Sequence, residues 1–388
     1  MSRPAVAHIR LDAFRHNYRV AKQKHGGKAL AVIKANAYGH GAVQCAQAIA
    51  DEADGFAVAC LEEALQLRQA GIKNPILLLE GFFEAAELPE IVANDLWIVV
   101  HAEWQVEILL AAKLQNPLHI WLKMDSGMHR VGLNHTAYQQ AYMRLSRMNN
   151  QLQLVYSAGT TLAVAGHVNV AGIVLMSHFA NADNLKSSHT QEQIAVFQNA
   201  VQSLGTEKLG LSEISLANSA AILGWPQVQA LQAHAPQAQA NWSRPGIMLY
   251  GADPLFDAKT PLRAVMQFTS KIISIRQIKK GESIGYGSIF TANKETIVGV
   301  VAVGYADGYP RSAINAPAAV DGVLTKVIGR VSMDMLFVDL TDIASAKIGS
   351  NVELWGDQIT ANDVAKAAGT IAYELFCNVK RVQFRYTD

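Results

Sequence analysis

Lys34 is the residue of this chain whose position most clearly indicates chemistry. The run Ala31-Val32-Ile33-Lys34-Ala35-Asn36-Ala37-Tyr38-Gly39-His40-Gly41 places a lysine at the end of an apolar, strand-like segment, before small residues and glycines. An amine that leaves a buried strand at a turn points into whatever lies at that edge, and once desolvated it can form a Schiff base with a carbonyl compound. The residues alone also permit an ordinary interpretation, a lysine that snorkels to solvent.

Other polar side chains also stand where apolar runs end. They are Lys123, Asp125 and Arg130 in one segment, His178 in a second, Asn218 and Ser219 in a third, and Arg244, Gly246 and Ile247 in a fourth. Each has an ordinary explanation when taken singly, such as a hydrogen-bonded core histidine, a salt-bridged arginine or a helix N-cap. Whether they form one site depends on the elements that position them.

Apolar runs alternate with helical patterns through the first part of the chain. The predicted strands are Ala29–Lys34, Gly55–Ala59, Pro75–Leu79, Leu96–Val100, Leu118–Met124, Gly172–His178, Glu213–Ala217 and Trp242–Leu249. The predicted helices between them include Leu61–Ala70, Glu103–Leu114 and Thr190–Leu204. Strands that are apolar on both faces are typical of parallel sheets, so this alternation predicts an α/β fold, a (β/α)8 TIM-type barrel. A doubly wound sheet is the alternative, but the first strand lacks the glycine-rich dinucleotide fingerprint.

The barrel prediction brings the polar side chains together, because barrel enzymes collect reactive groups at the carboxyl ends of their strands. Backbone donors near Ser219, Gly246 and Ile247 suit a phosphate group there. After Tyr250-Gly251 the pattern changes to short β-type runs separated by turn residues, with helical periodicity returning only at Ala361–Phe376 and a last strand at Val379–Tyr386. We therefore predict a barrel over residues 1–251 and a β-rich domain over residues 252–388.

The composition narrows the class of protein. The chain has 388 residues, 50% of them hydrophobic, and a formal net charge of +1 from 33 basic and 32 acidic residues. This near-neutral balance gives no sign of binding to nucleic acid or to a membrane surface. Three scattered cysteines predict reduced thiols and no metal site. The N-terminal residues lack an apolar core, so we expect no signal peptide and a cytoplasmic location.

Taken together, these motifs resemble those of alanine racemases, which are fold-type III pyridoxal-phosphate enzymes. The resemblance covers nearly the whole chain, and its specific motifs are the Lys34 run and Gly304-Tyr305-Ala306-Asp307-Gly308-Tyr309-Pro310-Arg311. The other matching segments are Met124–Gly132, Ser177–Asp183, Asn218–Ala221, Arg244–Gly251, Gly285-Tyr286-Gly287, Gly329–Asp334 and Tyr373-Glu374.

The resemblance implies a role for each matching residue. Lys34 would carry pyridoxal 5'-phosphate, Arg244 would donate to its pyridine nitrogen, and Arg130 would contact its phenolic oxygen and the substrate carboxylate. Residues implied to hold the phosphate are Tyr38, Ser219, Gly246, Ile247 and Tyr373. Met333 would contact the substrate carboxylate through its backbone, and Lys123 matches a position that relatives often carbamylate. Tyr305 and Tyr373 resemble an inner gate that admits small side chains.

The implied reaction interconverts L- and D-alanine and needs a base on each side of the cofactor plane. By resemblance these bases are Lys34 and Tyr286, with Tyr286 and Met333 supplied by the partner subunit of a homodimer with shared sites. His178, also expected at the cofactor, and Arg244 are the candidates for a cationic network that makes the ionised phenol accessible. The D-alanine would feed peptidoglycan synthesis. Taken without the family, Tyr286 is an ordinary exposed turn residue.

The sequence departs from the family pattern at two places. Arg130 and His178 are farther apart than expected, and the uncharged stretch Met148–Gly172 holds the excess, with a predicted hairpin of Tyr156–Ala158 and Leu162–Ala165. Ser332 precedes Met333 where many relatives have cysteine. A contact made through the backbone of Met333 should not be disturbed by that exchange.

Three other functions remain as alternatives. A broad-specificity racemase is disfavoured by the absent signal peptide and by Asp125-Ser126-Gly127-Met128 beside the substrate-binding arginine. A decarboxylase of this fold would pair the pyridine nitrogen with a carboxylate rather than with Arg244. A non-catalytic cofactor-binding barrel would lack the β-rich domain that carries Tyr286.

Overall fold

The computed structural model describes residues 3–148, 169–205, 213–230, 241–256 and 260–388. These residues divide into two compact units. The barrel unit comprises Tyr18–Ala35 and Ile49–Gly246, and the β unit comprises Met1–Asn17, Asn36–Ala48 and Ile247–Asp388. The first strand, β1 (Val6–Arg10), belongs to the β unit, and the next eight strands form the barrel.

The barrel closes through eight strands in chain order, and neighbouring strands pair in parallel. They are β2 (Lys28–Val32), β3 (Gly55–Val58), β4 (Ile76–Leu78), β5 (Leu96–Val100), β6 (Leu118–Lys123), β7 (Val170–Met176), β8 (Glu213–Asn218) and β9 (Asn241–Arg244). Most of their apolar side chains are buried, as expected for a sheet covered on both faces. The predicted TIM-type barrel is confirmed.

Helices separate most of these strands and follow the predicted alternation. In the first part of the chain they are Leu11–His25, Ala42–Ile49, Leu61–Gln69, Leu88–Ala93, Glu103–Ala111, His135–Ser146, His189–Ser203, Ser219–Gly224 and Pro226–Ala230. Among the residues described, no helix has the length and hydropathy that a bilayer crossing requires.

Besides β1, the β unit contains the later strands β10 (Met266–Ile278), β13 (Thr296–Val301), β14 (Pro317–Val320), β15 (Val323–Ile328), β16 (Leu336–Asp339), β17 (Asn351–Trp355) and β18 (Gln383–Thr387), and a small hairpin adds β11 (Ser283–Ile284) and β12 (Phe290–Thr291). Except for the hairpin, these strands form an eight-stranded sheet with the order β13-β16-β15-β14-β17-β10-β1-β18. Helices Ala361–Ala368 and Ala372–Asn378 complete the unit. The mostly β character of the C-terminal part is confirmed.

Several predicted boundaries were wrong. The first barrel strand ends at Val32 rather than Lys34. The last barrel strand ends at Arg244, and Ile247–Tyr250 forms a 3-10 helix instead. The single helix predicted over Ala361–Phe376 is two helices, because Gly369 takes a left-handed φ of 72° at the end of the first. The hairpin predicted within Tyr156–Ala165 lies outside the described residues.

Candidate active site

Lys34 is the first residue of a left-handed helical turn, Lys34–Tyr38. The φ angles of the four residues Ala35 to Tyr38 lie between 51° and 54°, although none of them is glycine. This conformation costs an L-residue roughly 1–2 kcal/mol, so the turn as a whole costs about 4–8 kcal/mol. Strained backbone persists where surrounding contacts hold it in place, and it is concentrated at functional sites.

Hydrogen bonds at Ala35 and Asn36 hold the first part of this turn. In the barrel unit, the carboxylate of Glu63 accepts the backbone N–H of Ala35 at 2.6 Å and that of Ala59 at 2.8 Å. In the β unit, Asn36 Oδ1 accepts the N–H of Ala42 at 2.9 Å, which caps the following helix. The turn that begins at Lys34 is therefore fixed by hydrogen bonds.

Positive charge gathers at the carboxyl ends of the barrel strands. Lys123 is the last residue of β6 and only 6% exposed. Burial, together with the charges of Arg244 and Arg130, lowers the pKa of Lys123 to about 8, with Asp125 acting in the opposite direction and Lys34 adding to the lowering. Four cationic side chains thus act on one region of the barrel unit. Such a region suits an anionic ligand.

The segment that carries Arg130 is a tightly closed loop. Asp125 Oδ1 accepts the backbone N–H groups of Gly127, Met128 and His129 at 3.0–3.1 Å. The loop closes where Asp125 N donates to Leu133 O at 2.9 Å. The exposed guanidinium of Arg130 makes no hydrogen bond or ion pair to any described residue, which leaves its donors available to an anion.

Arg244 is the buried cation of the site, with only 4% of its surface exposed. Its Nη2 donates to Ser177 O at 2.6 Å and lies 3.4 Å from His178 Nδ1, and its Nη1 donates to Ser215 Oγ. Burial lowers the pKa of Arg244 to about 10, which still leaves the guanidinium protonated at neutral pH. It therefore remains a fixed donor.

His178 is neutral, contrary to the prediction that it joins a cationic network. Burial, and after it the charge of Arg244, lowers the pKa of His178 well below its ordinary value. Because the guanidinium of Arg244 can only donate, His178 Nδ1 is the acceptor and Nε2 carries the hydrogen. The positive charge attributed to this pair resides on Arg244.

The ends of β8 and β9 bring together a hydroxyl and a backbone amide. Asn218 Oδ1 accepts the N–H of Ala221 at 3.0 Å and so caps the helix after β8. The buried hydroxyl of Ser219 accepts the N–H of Gly246 at 2.8 Å. Barrel enzymes often bind phosphate after their last two strands. The amine of Lys34, the buried guanidinium of Arg244, the exposed guanidinium of Arg130 and the hydroxyl of Ser219 make a set of groups that fits pyridoxal phosphate.

In the β unit, Tyr38 lies beside Tyr373, the second tyrosine predicted to contact the phosphate. The ring of Tyr38 stacks on Tyr250 at 4.7 Å between centroids, and Tyr373 lies 5.8 Å away. Burial raises the pKa of Tyr38, so its hydroxyl stays a neutral donor. Ile247, the other predicted phosphate contact of this unit, is the buried first residue of its 3-10 helix.

Tyr286 and Met333 stand exposed on the β unit. Tyr286 is 69% exposed, and Met333 is 53% exposed. Tyr286 is the first residue of a 3-10 turn, and its two neighbours, Gly285 and Gly287, both have left-handed φ. The turn of Tyr305 is tied to the loop of Met333, since Ala306 N donates to Met333 O at 3.0 Å. A Cβ on Gly304 would collide with the same carbonyl oxygen. Tyr305 and Met333 therefore form one connected surface.

Sequence reasoning missed the groups that support His178. Ser177 Oγ donates to Met124 O at 2.9 Å and lies 2.7 Å from Ser126 Oγ. Gln193 Nε2 donates to His178 O at 3.1 Å. Ser126 and Ser177 stood inside recognised motifs, but Gln193 comes from the helix after β7, and only the fold shows its contact.

The barrel and its cationic mouth indicate an enzyme that works on an anionic cofactor, and comparison with known proteins specifies the family. The family model described as "Alanine racemase, N-terminal domain" matches residues 9–254, and the model described as "Alanine racemase, C-terminal domain" matches residues 265–386. The "Alanine racemase, catabolic" of Pseudomonas putida is 53% identical over 388 residues, 99% of both chains.

Solved structures agree with this comparison. The biosynthetic alanine racemase of Pseudomonas aeruginosa superposes with a TM-score of 0.84 at 43% identity, covering 100% of both chains. The alanine racemase of Bartonella henselae, solved with covalently bound pyridoxal phosphate, has a TM-score of 0.80 at 28% identity and covers 99% of both chains. The chain belongs to the alanine racemase family, whose members are pyridoxal-phosphate-dependent isomerases that racemise alanine.

Proposed function

We propose that this racemase uses two bases, Lys34 on one face of the substrate and Tyr286 of a second copy on the other. The observation that carries this proposal is the strained turn that fixes Lys34 in a strongly cationic barrel mouth. Tyr286, in contrast, is exposed on the β unit, where a second copy can use it. Lys34 would take the α-proton of D-alanine, and Tyr286 would take that of L-alanine.

Pyridoxal phosphate, when bound, withdraws electrons from the α-carbon and makes its proton removable. The residues that would hold it are Lys34, Tyr38, Arg130, His178, Ser219, Arg244, Gly246, Ile247 and Tyr373. Arg244 keeps its own proton near neutral pH, so it would donate a hydrogen bond to the pyridine nitrogen without protonating it. An unprotonated nitrogen is a weaker electron sink, which disfavours side reactions such as transamination. Arg130 and the backbone of the partner's Met333 would bind the substrate carboxylate.

The proposed assembly is a homodimer with shared sites. Within the predicted N-terminal part, residues 18–35 and 49–246 would form the cofactor-binding barrel, and the C-terminal residues 252–388 would complete the site of the partner subunit. Such an interface is isologous, so each copy gives Tyr286 and receives one. The exposed positions of Tyr286 and Met333 support this arrangement, because a single copy leaves both side chains uncovered.

We place the enzyme in the cytoplasm and propose that its D-alanine enters peptidoglycan synthesis. Both a biosynthetic and a catabolic alanine racemase resemble the chain closely, so this cellular role rests on the reaction product rather than on particular residues.

Circular dichroism tests the proposed function. Purified protein supplied with pyridoxal phosphate should abolish the optical activity of L-alanine, since the two enantiomers have equal free energy, and should do the same from D-alanine. Omission of the enzyme is the control. An unchanged signal with the cofactor bound would contradict the proposal.

We further propose that Lys123 is carbamylated, which would replace one of the crowded cations by an anionic partner for Arg130. Only a neutral amine adds CO2, and the pKa of Lys123 is lowered to about 8, so the reactive form is scarce at pH 6 and about half populated at pH 8. At constant dissolved 13C-labelled CO2, the carbamate NMR signal should therefore grow as the pH rises from 6 to 8. Lys123→Met is the control, and an equal signal in that variant would refute the assignment.

Tyr305 and Tyr373 are proposed as a gate that selects small substrates. Two phenols around the pocket would leave room for a methyl side chain, and one added methylene changes discrimination by roughly 10–200-fold. We expect kcat/KM to be highest for alanine, lower for serine and 2-aminobutyrate, and much lower for leucine and lysine. The Tyr373→Ala variant should reduce these differences in kcat/KM. Comparable turnover of lysine by the wild type would contradict the gate and favour a broad-specificity racemase.

A further inference from the structure

His40 is fully buried in the β unit and is tied to the turn that follows Lys34. Its ring Nδ1 lies 3.1 Å from Ala37 O and 3.0 Å from Tyr38 O. Both neighbours are carbonyl oxygens, which only accept, so Nδ1 must carry the hydrogen. The backbone N–H of His40 donates to Ala37 O as well, at 2.9 Å. One residue therefore bonds the turn through both its backbone and its ring.

Aromatic packing fixes the imidazole in this orientation. The ring centroid lies 4.6 Å from that of Tyr250 and 4.9 Å from that of Phe376, the latter edge-to-face. Nε2 is the unprotonated nitrogen of this tautomer and has no hydrogen-bond partner among the described residues. Burial lowers the pKa of His40 to about 4, so the imidazole stays neutral throughout the working range of pH.

These contacts are made to the left-handed turn, the most strained backbone segment of the site. Ala37 and Tyr38 both have left-handed φ, and their carbonyl groups are oriented by that conformation. A right-handed alternative would move both oxygens away from the Nδ1–H group and leave a buried donor unpaired, which is strongly disfavoured. The hydrogen bond from His40 therefore favours the left-handed turn over its alternatives.

We propose that His40 is a positioning residue for the cofactor-bearing lysine, and that its Nδ1–H group holds the turn in the conformation that aims Lys34. This inference rests on the proposed role of Lys34. The competing explanation is that His40 serves only as an aromatic filler between Tyr250 and Phe376.

Two variants separate the hydrogen bond from the packing. His40→Asn keeps an N–H donor at the position of Nδ1 and loses the rest of the ring. His40→Phe keeps a ring between Tyr250 and Phe376 and loses the donor. If His40→Phe does not fold, His40→Leu also removes the donor at a similar volume.

The first readout is the affinity of the apoprotein for pyridoxal phosphate, measured by titration beside the melting temperature. Loss of the donor should weaken binding on the order of tenfold, the effect of about one hydrogen bond, whereas His40→Asn should stay within about threefold of wild type despite a lower melting temperature. The second readout is α-deuterium exchange. His40→Phe should slow exchange from D-alanine more than from L-alanine, because only the Lys34 face is disturbed.

The opposite pattern would overturn the inference. If His40→Phe binds the cofactor like wild type and His40→Asn does not, or if both differ from wild type only in melting temperature, His40 is a packing residue. Borohydride fixation of the cofactor in wild type, followed by peptide mapping, keeps the two proposals apart. Attachment at another lysine would contradict the proposed function itself, whereas attachment at Lys34 with unaltered variants would contradict only the role of His40.

Discussion

Replacing Lys34 by alanine should abolish both cofactor attachment and racemisation while leaving the fold intact. Lys34 begins a strained turn that other residues hold, and its side chain is not buried in the core, so its removal deletes the attachment point and leaves the core packing unchanged. Loss of an acid–base group alone costs on the order of 10²–10⁴-fold, and loss of covalent attachment adds to that figure. Borohydride reduction followed by mass spectrometry measures attachment, and circular dichroism measures turnover.

The exposed Lys73 of the barrel unit supplies a matched control, because it precedes β4 and Lys73→Ala therefore removes the same amine away from the carboxyl ends of the strands. That variant should behave like wild type. Cofactor that is still reducibly attached in Lys34→Ala would show that another lysine serves as the anchor, and the assignment of the site would be wrong.

Replacing Tyr286 by phenylalanine should slow proton removal from L-alanine selectively. The exchange deletes one hydroxyl from an exposed side chain, so stability should change little. The face served by Tyr286 loses its base, which costs on the order of 10²–10⁴-fold, while Lys34 still serves the other face. Deuterium exchange at the α-carbon, followed separately for each enantiomer, provides an internal control. Small and equal effects on both enantiomers would remove Tyr286 from the mechanism.

Most of the fold could be predicted from the sequence, because parallel strands that are buried on both faces are continuous apolar runs. The predicted strand Leu96–Val100, for example, matches the observed strand residue for residue. The first strand, Val6–Arg10, was missed, since it joins the sheet of a domain that otherwise lies at the other end of the chain. Pairing over such a sequence distance leaves no local signal.

The site was less predictable in its geometry and charge than in its residue types. The motif around Lys34 predicts a strand followed by a turn. It does not predict four consecutive non-glycine residues in left-handed conformation, because such residues rarely adopt positive φ in succession. The neutrality of His178 follows from burial beside Arg244, which only the fold creates. His40 belongs to the same sequence motif as Lys34, but its hydrogen bond to the turn depends on the folded backbone and leaves no signal in the sequence.

The central claim, that two bases from two copies meet in one site, is tested most directly by mixing two inactive variants. A heterodimer of Lys34→Ala and Tyr286→Ala subunits has one site with both defects and one with neither. Under proven subunit exchange, an equal mixture should regain up to about a quarter of wild-type activity, as random pairing in a two-fold dimer requires. As controls, the Lys34→Ala dimer and the Tyr286→Ala dimer, each taken alone through the same subunit-exchange procedure, should stay inactive. If the mixture also stays inactive although heterodimers have formed, the shared two-base site is contradicted.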